Sequence, residues 1–136
     1  MGAECTDTLV SPADPRLAIG VDVVEIARVA ATVARYGERF LARVYTAGER
    51  AYAAGRAPAL AVRFAAKEAT AKALGTGIGP VGWRNIEIRN DADGKPTVLL
   101  HGAAAQVARR AGFVEWQVSV THSRETATAF VVGFRP

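Results

Sequence analysis

The segment Arg63-Phe64-Ala65-Ala66-Lys67-Glu68-Ala69-Thr70-Ala71-Lys72-Ala73-Leu74-Gly75-Thr76-Gly77 constrains the fold of this chain more than any other. Ala, Leu, Lys and Glu are strong helix formers, so the run reads as the main helix, from about Leu60 to Leu74. Gly75 falls where a left-handed C-terminal cap belongs. Glu68 is the only acid in the run, set among Arg63, Lys67 and Lys72. A carboxylate among cations beside a glycine-rich turn suits a metal and a phosphate together. A second acid, Asp22, interrupts the apolar run Ile19-Gly20-Val21-Asp22-Val23-Val24-Glu25-Ile26. Burying a lone carboxylate is costly unless it is paired, hydrogen-bonded or bound to metal.

The rest of the chain reads as one α+β domain, mostly antiparallel strands with packed helices. Its 136 residues, half of them hydrophobic, suffice for a real core. Residues 1–16 read as a flexible leader and 17–136 as the domain. Leu17–Val23 is a short buried strand. A helix follows from about Val24 to Tyr36, with Ile26, Val29, Ala30 and Val33 on one face. Gly37 ends it, Phe40–Tyr45 form a further helical turn, and Thr46-Ala47-Gly48-Glu49 fits a capping box. After the main helix comes a loop, Gly75–Gly82. Trp83–Arg89 and Thr97–Leu100 read as strands around an Asp93-Gly94 turn. Residues 102–111 form a helix closed by Gly112. Glu115–Thr121 and Thr126–Phe134 form a final hairpin.

Charge bounds the partners. The net charge is +4, from fourteen arginines and three lysines against thirteen acids. Arginine favours bidentate contacts to phosphates and carboxylates, so the balance points to an anionic partner. On charge alone, a basic non-catalytic module for nucleic acid or an acidic protein is the rival reading, but the chain carries no nucleic-acid motif and none is expected as a partner. No apolar run approaches membrane-spanning length, and no signal peptide precedes the domain, so the expected setting is the cytoplasm, with no membrane partner. Cys5 is alone, which excludes a disulfide framework within one chain. Two histidines and one cysteine without ligand spacing argue against zinc.

Most of the polar residues admit a plain structural role. Asp22-Val23-Val24-Glu25 is itself a capping box. Glu68 and Lys72 stand four apart, in the favourable order for a surface ion pair. His122 lies among Val118, Val120 and Phe130, a setting in which a histidine is usually structural. Arg28, Arg35 and Arg39 suit a solvated helix face.

Four ordered segments give a sharper reading. Gly20-Val21-Asp22, then Arg63-Phe64-Ala65-Ala66-Lys67-Glu68-Ala69, then Asn85–Pro96 with its Gly94-Lys95-Pro96, then Val118-Ser119-Val120-Thr121-His122-Ser123 together resemble the 4'-phosphopantetheinyl transferases, of the short holo-[acyl-carrier-protein] synthase type. The match spans roughly residues 17–134. The resemblance implies transfer of 4'-phosphopantetheine from coenzyme A to a serine of an apo acyl carrier protein, leaving adenosine 3',5'-bisphosphate. It implies Asp22 and Glu68 as magnesium ligands, and Lys72, with Lys67 and Arg63, as phosphate contacts. Gly75, Thr76 and Gly77 would let backbone approach the cofactor, and Gly94, Lys95 and Pro96 would border its adenine end. Thr121 and His122 would contact the cofactor, with His122 entering from a neighbouring subunit of a homotrimer. Arg28, Arg35 and Arg39 would dock the acidic face of the carrier. Arg28 follows Asp22 by about 9 Å of helix, which sets it beyond the pyrophosphate. The base that deprotonates the serine stays open between a metal-bound water and a carboxylate, and which carrier is served is equally open.

Overall fold

The computed structural model describes residues 16–136. The expected leader, apart from Arg16, lies outside them, as does Cys5. The elements run β1 (Leu17–Glu25), α1 (Ile26–Tyr36), α2 (Glu38–Val44), α3 (Ala47–Ala53), α4 (Ala57–Leu74), α5 (Ile78–Val81), a 3-10 turn (Trp83–Asn85), β2 (Ile86–Asn90), β3 (Pro96–Leu100), α6 (Gly102–Ala111), β4 (Glu115–His122) and β5 (Thr126–Phe134). Among the described residues, β1, β5 and β4 form an antiparallel sheet in that order, and β2 pairs with β3. The α+β expectation holds.

The sheet and α4 organise the rest. Ala65, Ala66 and Ala69 of α4 are fully buried against Val118, Ala129 and Val131 of the sheet. A second cluster, Ile26, Val29, Val44, Tyr45, Leu60 and Ala61, holds α1 and α2 to the first half of α4. Small side chains let helix and sheet close up, and Gly20 is the extreme case. A Cβ there would lie 1.8 Å from the Ala69 carbonyl oxygen. Only glycine allows β1 to cross α4 at this point.

Several local expectations change. β1 continues to Glu25, so Asp22 sits mid-strand opposite Ala129 and caps no helix. The cap falls to Glu25, which makes no side-chain cap bond, and the Ile26 amide donates to the Glu125 carbonyl at 2.8 Å. Pairing with β5 keeps residues 22–25 extended, so no helix begins after Asp22 for it to cap. The strand foreseen at Trp83 begins at Ile86, after the 3-10 turn, and the loop Gly75–Gly82 contains the one-turn helix α5. The Thr46–Glu49 capping box forms in full, and Gly75 ends α4 in the left-handed region at φ 80°.

Strand alternation leaves one face of the sheet bare. Leu17, Ile19, Val21 and Val23 of β1 and Phe130 and Phe134 of β5 are all exposed. Phe130 stands on this outer face. His122 is in register with Ala127 on the helix-facing side, so the two do not share the apolar setting that sequence proximity suggested.

Candidate active site

The Gly20–Ala69 contact decides where the acids meet. Asp22 is two residues beyond Gly20 and so shares its face of β1. Glu68 precedes Ala69 on α4. Both carboxylates therefore line one 440 Å³ cavity, together with Arg28, Thr32, Phe40 and Phe64. Lys72, one turn after Glu68, donates to Asp22 Oδ1 and to the Val21 carbonyl, both at 3.0 Å. The expected Glu68–Lys72 surface pair is thus replaced by a bridge from Lys72 to Asp22.

Glu68 is short of positive charge. Burial, and then the neighbouring Asp22, push its carboxyl above the ordinary value, and Lys72 only partly offsets this. A half-buried carboxyl held up beside a second carboxylate is a place where a cation would be welcome. Among the described residues no three His, Cys, Asp or Glu side chains gather around one point. Two hard oxygen donors fit magnesium, which keeps waters and takes substrate phosphates as its remaining ligands.

Gly75 and Gly77 lie just beyond, both at positive φ, with open space where side chains would project. Their amides are not free donors. The amides of Gly75, Thr76 and Gly77 all turn back to the Ala71 carbonyl, and the Thr76 hydroxyl donates to the Gly77 carbonyl. The turn also sits at the negative end of a helix dipole, so an anion beside it needs Lys72 or a metal.

Lys67 leaves the phosphate set. It is fully buried, and its ammonium is occupied by Glu49 Oε1 at 2.7 Å and the carbonyls of Trp83 at 3.0 Å and Ile86 at 2.6 Å. An ammonium has three donors, and all are used. Arg28 is also revised. Because the helix starts at Ile26, Arg28 belongs to its first turn and lines the carboxylate cavity instead of standing clear of it. Arg39 lines an adjoining cavity with Tyr36, and Arg35 stacks on the Tyr36 ring at 5.3 Å.

The remaining residues gather elsewhere. Arg63, Gly94, Pro96, Thr121 and His122 line a separate 680 Å³ cavity with Tyr52, Arg56 and Asn90. Arg63 donates to Asn90 Oδ1 and to the Ala59 carbonyl, and stacks over Tyr52 at 4.3 Å, yet its buried Nε has no partner. The turn at this rim is held by Asp91 Oδ1, which accepts from the amides of Asp93 and Lys95 at 2.9 Å each. The chain thus carries the predicted site as two patches, Asp22, Glu68, Lys72 and the glycine turn in one, Arg63, the Gly94 turn and His122 in the other. Sequence reasoning missed Thr32, Phe40 and Phe64 in the first and Tyr52, Arg56 and Asn90 in the second. Phe64, one turn before Glu68, was detectable by helical spacing, whereas Asn90 carried no signal.

An antiparallel sheet crossed by a buried helix, with paired carboxylates and a lysine at the crossing, defines a class of phosphate-handling transferase. The model of the 4'-phosphopantetheinyl transferase superfamily matches residues 18–131, and this chain belongs to that superfamily. It is 48% identical over 124 residues to a holo-[acyl-carrier-protein] synthase of Herpetosiphon aurantiacus, covering 86% of this chain and 98% of the relative. A holo-[acyl-carrier-protein] synthase of Gloeobacter violaceus is 49% identical over 122 residues, covering 85% and 92%. The fold is similar to the crystal structure of the Neisseria meningitidis synthase, with a TM-score of 0.79 and 37% identity over 87% of this chain and 98% of that one. It is also similar to the Helicobacter pylori synthase in complex with coenzyme A, with a TM-score of 0.78 and 30% identity over 85% and 98%. These comparisons lend no support to the rival reading as a non-catalytic basic module.

Proposed function

We propose that this chain transfers the 4'-phosphopantetheine of coenzyme A to a serine hydroxyl of an apo acyl carrier protein, releasing adenosine 3',5'-bisphosphate, at a site completed between protomers of a homotrimer. The observation that carries the reading is the meeting of Asp22 and Glu68 in one cavity, with Lys72 bridged to Asp22, in a chain from this superfamily. The serine oxygen attacks the phosphorus that bears the pantetheine arm. The bond from that phosphorus to the oxygen bridging to the adenosine 5'-phosphate breaks. The serine proton passes to a carboxylate or to water, and adenosine 3',5'-bisphosphate departs with the electron pair on that oxygen.

Such transfers depend on positioning and charge neutralisation more than on covalent chemistry. Asp22 and Glu68 would hold magnesium, which supplies charge neutralisation at the pyrophosphate. Lys72, already within 3.0 Å of Asp22, is placed to share its charge with a phosphate oxygen. Gly75 and Gly77 leave room for the ligand beside the helix end. Arg28 at the cavity rim, with Arg35 and Arg39 further along, would meet the acidic carrier.

Two observations support a shared site. The second patch, around His122, opens into a cavity of its own on the same chain, and the outer sheet face exposes six large apolar side chains of β1 and β5. Exposed apolar faces of this kind mark interaction surfaces. A head-to-tail ring of three chains would cover that face and bring the His122 patch of one protomer to the Asp22 patch of the next. A cytoplasmic setting follows from the substrates, and among the described residues no helix is long and apolar enough to cross a membrane. The experiment is direct: incubate the protein with coenzyme A, magnesium and an apo carrier protein, then weigh the carrier. A gain of one phosphopantetheine supports the reading, and an unmodified carrier overturns it.

A further inference from the structure

Lys67 and Glu49 form a buried ion pair that the reaction as drawn does not use. Both are at most 1% exposed. Glu49 Oε1 also accepts from the Thr46 amide, and Oε2 accepts from the Ile88 amide, each at 2.8 Å. The carboxylate is therefore fixed by α3 and β2 before Lys67 reaches it. The Lys67 ammonium then binds the carbonyls of Trp83 and Ile86. Those two carbonyls stand just past the glycine loop, which leaves α4 at Gly75 and ends at Gly82. One lysine thus ties the far end of the loop back to the helix from which the loop springs.

The tie reaches the cavity by two routes. The Trp83 ring packs on Phe64 at 4.7 Å between centroids, and Phe64 lines the cavity beside Glu68. Lys67 also fixes the rotation of α4. With 100° per residue, a helix held at Lys67 presents Glu68 in one direction only. Burying two charges is a poor way to gain stability, since apolar residues of similar volume usually do as well or better. A fully bonded pair does specify a single arrangement, because any other leaves a charge unpartnered.

We infer that Lys67, held by Glu49, is a positioning residue for the transferase site: it locks the glycine loop, Trp83 and the Phe64 wall against α4 and so sets Glu68 and the coenzyme A side of the cavity. The inference rests on the transferase reading. It is directed at the coenzyme A half: Lys67, Glu49, Trp83 and Ile86 lie on α4, α3, the 3-10 turn and β2, whereas Arg28 and Arg35 lie on α1 and Arg39 on α2.

Two variants test it. Lys67→Met strands Glu49 and should lower the melting temperature sharply. Glu49→Leu combined with Lys67→Met removes both charges and should recover most of that loss. In the double variant, amide exchange across residues 75–86 should rise about tenfold or more with no substrate present. The KM for coenzyme A should rise, and kcat/KM for coenzyme A should fall about ten- to a hundredfold, the cost expected of a small misplacement. The KM for the carrier should stay within about twofold. A folded double variant with wild-type exchange and wild-type coenzyme A kinetics would overturn the inference, as would equal losses toward both substrates. A wild-type protein that transfers nothing would overturn the transferase reading instead, and the exchange measurement would still decide whether the tie holds the loop.

Discussion

The cavity around Asp22 is walled where β1 crosses α4, whereas the cavity around His122 is assembled from strand ends, a turn and the first half of α4. In the first, β1 and α4 touch backbone to backbone at Gly20 and Ala69, and the two acids follow from that contact. In the second, Thr121 and His122 end β4, Gly94 and Pro96 flank a hairpin turn, and the buried Arg63 stands behind them. Their charges differ as well. The first half-buries Glu68 beside Asp22, and Glu68 resists ionisation there. The second presents arginines, one with a buried Nε lacking a partner. A rigid acidic patch suits a cation and the reacting phosphates, and a basic patch at a rim suits the remaining anionic end of the same cofactor. We read them as the two sides of one site.

Removing either acid is the hardest blow to the first cavity. Asp22→Ala and Glu68→Ala should each cost roughly a thousandfold in kcat at saturating magnesium with the fold intact, since metal-based charge stabilisation is worth several kcal/mol. Steady-state kinetics and circular dichroism check this, and unchanged turnover in either would break the metal assignment.

Gly20→Ala attacks the contact beneath both acids. The new methyl cannot fit against the Ala69 carbonyl, so β1 must lift from α4. Overpacking of this kind costs about 1–3 kcal/mol or more. The melting temperature should fall, and activity per folded molecule should fall with it as Asp22 moves from Glu68. A drop in stability without loss of turnover would show that the acids do not depend on this crossing.

Arg28→Glu sharpens the division between cofactor and carrier. If Arg28 docks the carrier at the cavity it lines, its reversal should raise the carrier KM about ten- to a hundredfold and weaken its salt dependence. The KM for coenzyme A should move much less. Equal effects on both would assign Arg28 to the cofactor.

The smallest effect concerns stability. The folded protein holds the Glu68 carboxyl above its ordinary value of 4.5. Deprotonation is then easier in the unfolded chain, so the penalty appears as pH rises through the ordinary value and is full above the folded one. In metal-free protein at pH 7, Glu68→Gln should therefore raise the melting temperature by roughly 1–3 °C, with no gain at pH 3, while transfer is lost. A lower melting temperature at pH 7 would mean that Glu68 is already compensated.

Most of the fold was legible in the sequence because local chemistry agreed with the global arrangement. The Thr46–Glu49 box, the Gly75 cap and the Asp93-Gly94 turn each occur where propensity placed them. What misled was tertiary. Asp22-Val23-Val24-Glu25 is a good capping box locally, but the ladder to β5 extends β1 across it. The resemblance implies Lys67 as a phosphate contact on a basic helix, and the fold buries it instead. Its burial depends on Glu49, eighteen residues away, and on two carbonyls beyond the glycine loop. The pairing of Asp22 with Glu68 was visible only through the family resemblance, since nothing in their spacing announces the Gly20 crossing. That Arg63 sides with His122 was not legible, because the turn at Asn90 reaches it only in three dimensions.

Subunit complementation tests the shared site most directly. Asp22→Ala and His122→Ala chains, each inactive alone, are mixed under conditions that let protomers exchange, and transfer to the carrier is followed by mass spectrometry. In a head-to-tail ring about a quarter of the sites then join an intact Asp22 patch to an intact His122 patch, so activity should recover to that order. A fully active His122→Ala chain, or no recovery after exchange has been verified, would contradict the account.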